Sequence, residues 1–483
     1  MTERIGRALP PPSGRAPVMN ISPRDVAGLG DELQSFHQIF GSGFVRREQR
    51  HWALKYSQAQ LLELERKSIE PMAVALAGGN IQAMQQFISQ GAWSDEEVLT
   101  IHRRAVAQTL GRAEGVVILD GCDFPKQGRD SVGVARQYCG PLGKLANCQA
   151  SVVLAYASEA GATLLDRRLY LPGEWFEADH RERWQKCGIP DDTPFQTKPA
   201  LGAAMLAAVM AEGVVPFRWV TMDEGYGAAG YVLDLIHREN KLFFAEIPRD
   251  KQAWLRRPKL VPPQVHASTG RPPTRTHLAP NAPPAQRVDA IAVQQRPTNW
   301  QRFIIHEGSK GPLEVEILAR RVVMADEELP GREEWLVVRR PVEDLVVKHW
   351  KFYRSNAPAD TQLPTLARMT AWRWPVESVI EECKGELGLD HYEVRGWVGW
   401  HHHTTMTFLA HHFLVRLRVN RGIEAPALTV AQVRKLLQVV LPKREFNAQQ
   451  ALEELARIQR QNHAAYRSHK KRRRRAAKSS PPN

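Results

Sequence analysis

The chain has 483 residues, of which 43% are hydrophobic and 24% charged, enough for two or three domains with ample core. Its 66 Lys and Arg against 52 Asp and Glu leave a net charge of +14, a balance that attracts polyanions, nucleic acid above all. No run approaches the roughly eighteen apolar residues of a membrane span, and Cys122, Cys139, Cys148, Cys187 and Cys383 form no CxxC pair, so the reading is a soluble protein of a reducing cytoplasm rather than a membrane or disulfide-built one.

A Pro/Gly-rich leader over 1–22 has too little apolar content to pack and is expected to be disordered. Residues 23–113 read as helices with short breaks. The stretch "SQAQLLELERKSIEPMAVAL" carries a helical period, and "SDEEVLTIHRRAVAQTL" opens with a capping pattern, Ser94 followed by Glu97. The texture changes at 114–250. "GVVILDGCD", "CQASVVLAYAS" and "ATLLDRRLYLP" predict three consecutive strands in an antiparallel meander. A helix at "KPALGAAMLAAVMAEG", a strand at "FRWVTMDEGYG", a helix at "AAGYVLDLIHREN" and a strand at "KLFFAEIPRD" follow. The order βββαβαβ describes a mixed sheet with flanking helices.

Residues 251–362 form a different unit. Nine prolines between 258 and 297 exclude a helix or central strand there, and "RFIIH", "LEVEILARRVV" and "EWLVVRR" then predict strands. Helices resume over 363–420 and 421–466. The tail 467–483 holds eight basic residues, including Lys470, Lys471, Arg472, Arg473, Arg474 and Arg475, and is expected to be a disordered arm on DNA phosphates.

Three positions draw attention for chemistry. Asp120 ends the run "GVVIL" and Asp223 ends "FRWVTM"; a carboxylate there is a common turn starter, but three such acids meeting at one sheet end could hold two Mg²⁺ ions. The third is Glu377, in the helix "RWPVESVIEECKGELG". Val376, Val379, Ile380, Cys383 and Leu387 make its buried stripe, while Arg373, Glu377 and Lys384 share another. Pro375 suits the first turn and Gly388 the end. Lys126, Arg129, Arg136 and Lys144, interleaved with glycine after the first strand, are candidates for a phosphate track. His401, His402 and His403 are adjacent, cannot converge on one ion, and read as a helix start with structural or DNA-facing histidines.

The pattern R-W-P-V-E with Lys seven residues after Glu resembles the signature of insertion-sequence transposases with a DDE active site. "LDGCDFPKQGRDSVGVARQYCGPLGKLANCQASVVLAYAS" and "GELGLDHYEVRGWVGWHHH" resemble more narrowly the IS701-type branch, the DDE superfamily endonucleases, over roughly residues 35–420. Arg373, Glu377 and Lys384 match that family's Tyr-Arg-Glu-Lys signature, whereas Thr370 stands at the Tyr position. Gly121 stands where a second acid is usual, with Asp123 close by. The resemblance implies an α/β, ribonuclease-H-like core split by the β-rich insertion, a helical DNA-binding domain at 23–113, and Asp120, Asp223 and Glu377 as ligands for two Mg²⁺ (or Mn²⁺). It implies double-stranded DNA as partner, both the inverted-repeat ends of an element and the target. A homodimer in the DNA complex and association with the bacterial nucleoid are further expectations. Some relatives use a Trp of the insertion to hold a flipped base, and Trp300 is the candidate here. The competing readings are a catalytically silent DNA-binding protein on the same scaffold and a metal-dependent DNA nuclease that cuts without joining.

Overall fold

The computed structural model describes residues 3–4, 19–262, 276–308, 311–342 and 344–479. Five strands form the sheet that matters for function: β1 Val116–Pro125, β2 Lys144–Ser158, β3 Gly161–Tyr170, β4 Trp219–Met222 and β5 Leu242–Ile247. The first three make the antiparallel meander that the sequence predicts, with Leu119 opposite Leu154 and Ala155 opposite Leu164. β4 lies parallel to β1, and β5 parallel to β4, giving the order β3-β2-β1-β4-β5. Parallel strands need crossover helices, and α-helices stand between β3 and β4 and between β4 and β5. Leu119 pairs with Met222, so the next residue on each strand, Asp120 and Asp223, emerges at the same edge. The short strand Ala135–Cys139, which "ARQYC" does not announce, folds back onto the start of β2.

The longer helices and those that frame the site are α1 Leu29–Gln38, α2 Arg47–Leu61, α3 Ile69–Ala75, α4 Ile81–Ser89, α5 Asp95–Leu110, α6 Lys198–Glu212, α7 Gly230–Arg238, α8 Trp374–Leu387, α9 Trp397–Asn420, α10 Val430–Leu437 and α11 Ala448–Ser479; short ones include Val288–Val293, which forms within the Pro-rich stretch where no helix is expected, and Leu363–Met369. α5 is capped by the Ser94 hydroxyl accepting from the Glu97 amide, as its sequence predicts. α9 is buried on nearly every side although it carries five histidines and three threonines, most of which hydrogen-bond inside the core. It packs against α2, α4, α5, α8, α10 and β3. The helices of 23–113, expected as a domain of their own, therefore share one continuous core with α9 and the sheet, from Leu29 and Phe44 to Phe408 and Phe413. His401, His402 and His403 lie inside this core, the structural rather than the surface-facing of their two expected roles. His402 stacks on Trp93 at 3.7 Å, and His403 Nδ1 lies 2.8 Å from the Tyr56 hydroxyl.

Residues 251–362 continue the same sheet. β6 Gln301–Gly308, β7 Gly311–Asp326 and β8 Leu329–Pro341 are the three predicted strands, paired antiparallel. β9 Lys351–Ser355 joins them to the first five strands, pairing with β8 on one side and β5 on the other, Phe352 opposite Ile247. A second apolar cluster, with Trp300, Leu318, Leu336 and Trp350, fills the space beneath. Within the Pro-rich stretch Leu260–Val261 pairs with His277–Leu278, while 263–275 lies outside the described residues.

Two segments expected to be disordered carry structure. Glu3–Arg4 lies parallel to β6, though 5–18 is outside the described residues. The basic run continues α11 as far as Ser479, because Ala, Lys and Arg are good helix formers. Lys470 and Lys471 are exposed on it; the side chains of Arg472, Arg473, Arg474 and Arg475 lie outside the described residues, as does 480–483. Among the described residues no helix is long and apolar enough to cross a membrane, and all five cysteines are free and buried.

Candidate active site

The cleft at the shared edge of β1 and β4 is lined by Asp120, Asp123, Asp223, Arg373, Glu377 and Lys384 among others. Asp120 follows the buried run Val116–Leu119, and the chain's alternation turns its side chain out of the sheet at the rim. Asp223 caps the turn Glu224–Gly227, its Oδ1 accepting the Tyr226 amide at 3.2 Å. This is the turn role, and it leaves the other carboxylate oxygen available. Glu377 comes from α8, which buries Val376, Val379, Cys383 and Leu387 as its period predicts, while Ile380, expected with them, is half-buried in the cleft wall. Gly388 ends α8 in the left-handed conformation (φ 71°), where a Cβ would press on that of Lys67 at 2.6 Å.

Arg373 ties the acids together. Its Nη1 donates to Asp120 Oδ2 and its Nη2 to Glu377 Oε1, each at 2.8 Å, and its Nε stands 4.0 Å from Glu246 Oε2. Burial pushes the Asp120 carboxyl up to about 6, against the pull of Arg373, and the neighbouring Asp223 adds to the rise. Asp223 is raised by burial as well, with its bond from the Tyr226 amide opposing. Burial works against the charge on Arg373, but Asp120, Glu377, Glu246 and Asp223 together outweigh it and raise its pKa. The arrangement concentrates negative charge that only a cation can offset, here a guanidinium.

Among the described residues no three His, Cys, Asp or Glu side chains already converge as a ligand set. The guanidinium between Asp120 and Glu377 explains it, since the fork spaces the two carboxylates around itself. Hard oxygen donors around a bound cation are nonetheless the set a divalent metal of the Mg²⁺ or Mn²⁺ kind takes, so the residues fit such an ion.

The other predicted residues scatter. Lys384 lies in the cleft, its Nζ donating to the Asp123 carbonyl at 3.0 Å rather than pairing with Glu381. Arg136 and Lys144 are exposed on the hairpin beside the cleft. Lys126 does not join them: its ammonium sits 3.6 Å over the Tyr392 ring, where burial lowers its pKa to about 8. Thr370, at the signature Tyr position, is buried with its hydroxyl on the Ala367 carbonyl, so it reaches no DNA. Trp300 is also misassigned. It is 9% exposed, packed edge-on against Trp350 with Arg340 at 3.8 Å over its ring. Its sequence context before a strand could not separate a core Trp from a stacking platform.

Two cleft residues and one behind the cleft escape sequence reasoning. Tyr138, 59% exposed, stands in the cleft wall on the unannounced strand Ala135–Cys139. Lys198, at the first turn of α6, reaches to 4.0 Å from Asp123 Oδ1. Glu246, buried in β5, faces Arg373 from behind. Only for Glu246 does the sequence hold a signal, an acid inside the apolar strand "KLFFAEI".

An antiparallel three-strand meander extended by two parallel strands, with Asp120 midway along β1, Asp223 just past β4 and Glu377 on a later helix, gives a ribonuclease-H-like fold with three carboxylates in one cleft. Residues 36–312, more than half of the chain, match the family described as DDE superfamily endonuclease, and the chain belongs to that family. It is also 27% identical over 214 residues to a protein of Microchaete diplosiphon described as a probable transposase for insertion sequence element IS701. That likeness covers 44% of this chain and 52% of the relative, so the chain spans about half the length of the curated relative it matches. The family match ends before α8, so the assignment of Arg373, Glu377 and Lys384 rests on the cleft's geometry. Endonucleases of this family generally use divalent metal ions.

Proposed function

We propose that the chain is a DNA transposase. It binds the two ends of its insertion sequence, cleaves them by Mg²⁺-dependent phosphodiester hydrolysis and joins the freed 3′-OH to target DNA, working as a homodimer on the paired ends. The observation that carries the reading is the bridging of Asp120 and Glu377, 257 positions apart, by one guanidinium in the cleft that also holds Asp223. The relative described as a transposase adds support.

Asp120, Asp223 and Glu377 hold the metal, two Mg²⁺ or Mn²⁺ ions in this reading. When bound, such ions supply an activated water or 3′-OH and offset charge on the leaving oxygen of an in-line displacement. The chain's own residues position the substrate. Lys384 and Lys198 flank the carboxylates, and Arg136 and Lys144 extend the positive track along the hairpin, where contacts to phosphate set register without reading sequence. Lys470 and Lys471 on α11 add a basic handle for the duplex outside the cleft.

The test is incubation of the purified chain with labelled DNA bearing the repeats that flank its coding sequence, and a plasmid target. Mg²⁺-dependent 3′-OH ends that reappear joined to the plasmid are expected. Cleavage without joining would reduce the protein to a nuclease, and end binding without cleavage in Mg²⁺ or Mn²⁺ would contradict the reading.

A further inference from the structure

We infer that Glu246 is a positioning residue, a docking point that receives Arg373 when a divalent metal displaces it from Asp120 and Glu377. The inference rests on the metal-holding role proposed for those carboxylates and adds a mechanism for vacating the site.

A guanidinium offers five N–H donors in a fixed fork. Two of the donor groups of Arg373 are spent on Asp120 and Glu377 at 2.8 Å, while Nε faces Glu246 Oε2 across 4.0 Å, too far for a direct hydrogen bond and close enough for strong attraction. Arg373 thus takes one oxygen of each carboxylate, Asp120 Oδ2 and Glu377 Oε1, and its charge repels a metal ion drawn to the same pair. A metal that binds both carboxylates drives it away, and Glu246 is the one further carboxylate within 4.0 Å of it among the described residues. Glu246 is 8% exposed, fixed on β5 with its neighbours Ala245 and Ile247 buried, and Lys351 contacts its other oxygen, Oε1. Oε2 is therefore turned to Arg373 and held there. The geometry gives Glu246 two opposing partners: Lys351, which neutralises it, and Arg373, which it draws off the metal ligands.

The measurement is calorimetric titration of the full chain with Mn²⁺ alone, no DNA present. Glu246→Gln should weaken Mn²⁺ binding by about tenfold, since the displaced guanidinium loses its refuge. In an Arg373→Gln background the same change should alter affinity less than about twofold. Lys351→Met, which leaves Glu246 with Arg373 as its partner, should tighten binding severalfold. It supplies an independent arm if Glu246→Gln fails a thermal-melt check of folding. An equal loss in both backgrounds would show that Glu246 acts only through its own field and overturn the inference, as would weakened binding by Lys351→Met. Asp120→Asn is the control: if the wild type takes up no Mn²⁺, or if Asp120→Asn binds it undiminished, the metal-holding role itself has failed.

Discussion

Acidification should destabilise this fold through its buried histidines. His102, His402 and His403 are held to about 4 chiefly by burial, inside the core that joins α9 to the N-terminal helices. An unfolded histidine titrates near 6.5, so between 6.5 and 4 the unfolded chain binds more protons and stability falls with pH. At pH 5 each group costs about 2 kcal/mol, and the three together about 6. Asp120 works the other way: raised to about 6, it takes up a proton in the folded state first and returns about 1.5 kcal/mol. The net loss, about 4 to 5 kcal/mol, is a large part of the roughly 5 to 15 kcal/mol that holds a folded protein together. For a chain of this length it corresponds to a fall in Tm of roughly 5 °C between pH 7.5 and pH 5. Scanning fluorimetry at constant ionic strength measures it. His403→Gln removes one titrating group, about 2 of the net 4 to 5 kcal/mol, and should make the fall shallower by somewhat under half. A Tm at pH 5 equal to that at pH 7.5, or an unaltered slope in the variant, would refute the reasoning.

Lys384→Ala removes a charge-assisted contact worth about 1.5 to 3 kcal/mol beside the cut. Single-turnover cleavage should slow on the order of tenfold to a hundredfold, while Glu381→Ala, which has no bond to Lys384, changes little; equal small effects would make Lys384 a bystander. Trp300→Ala should cost about 3 to 5 kcal/mol of stability, read by denaturant titration, without altering DNA affinity of the folded protein; an unchanged midpoint with weakened DNA binding would restore the base-stacking role. Removing 467–483 should weaken binding to element ends and random DNA alike and flatten the salt dependence; a loss confined to specific ends would contradict a phosphate-only role.

What the sequence made legible follows from how local each signal is. Asp120 and Asp223 announce themselves as acids closing apolar runs, although β1 runs on past Asp120 to Pro125 whereas β4 stops at Met222, and α8 because its stripe repeats at the helical period. "ARQYC" and "KFYRS" lack an alternation, so the strands Ala135–Cys139 and β9 emerge only from their partners. The division into domains was legible only in part. Composition marks where the Pro-rich stretch begins, but nothing in it shows that β9 will zip the insertion onto β5, or that α9 will share its core with helices some 300 positions earlier. Lys126 and Trp300 failed for one reason, that exposure belongs to the packed molecule. Glu246 shows the same limit from the other side, since its significance lies in facing Arg373, 127 positions later.

The three carboxylates are the part of the molecule that cleavage cannot do without. Asp120→Ala, Asp223→Ala and Glu377→Ala should each abolish Mg²⁺-dependent nicking of a labelled element end while binding that end, in Ca²⁺ buffer, with nearly wild-type affinity. If any one of them still nicks at more than about a few per cent of the wild-type rate, that residue holds no metal and the proposed site is wrong.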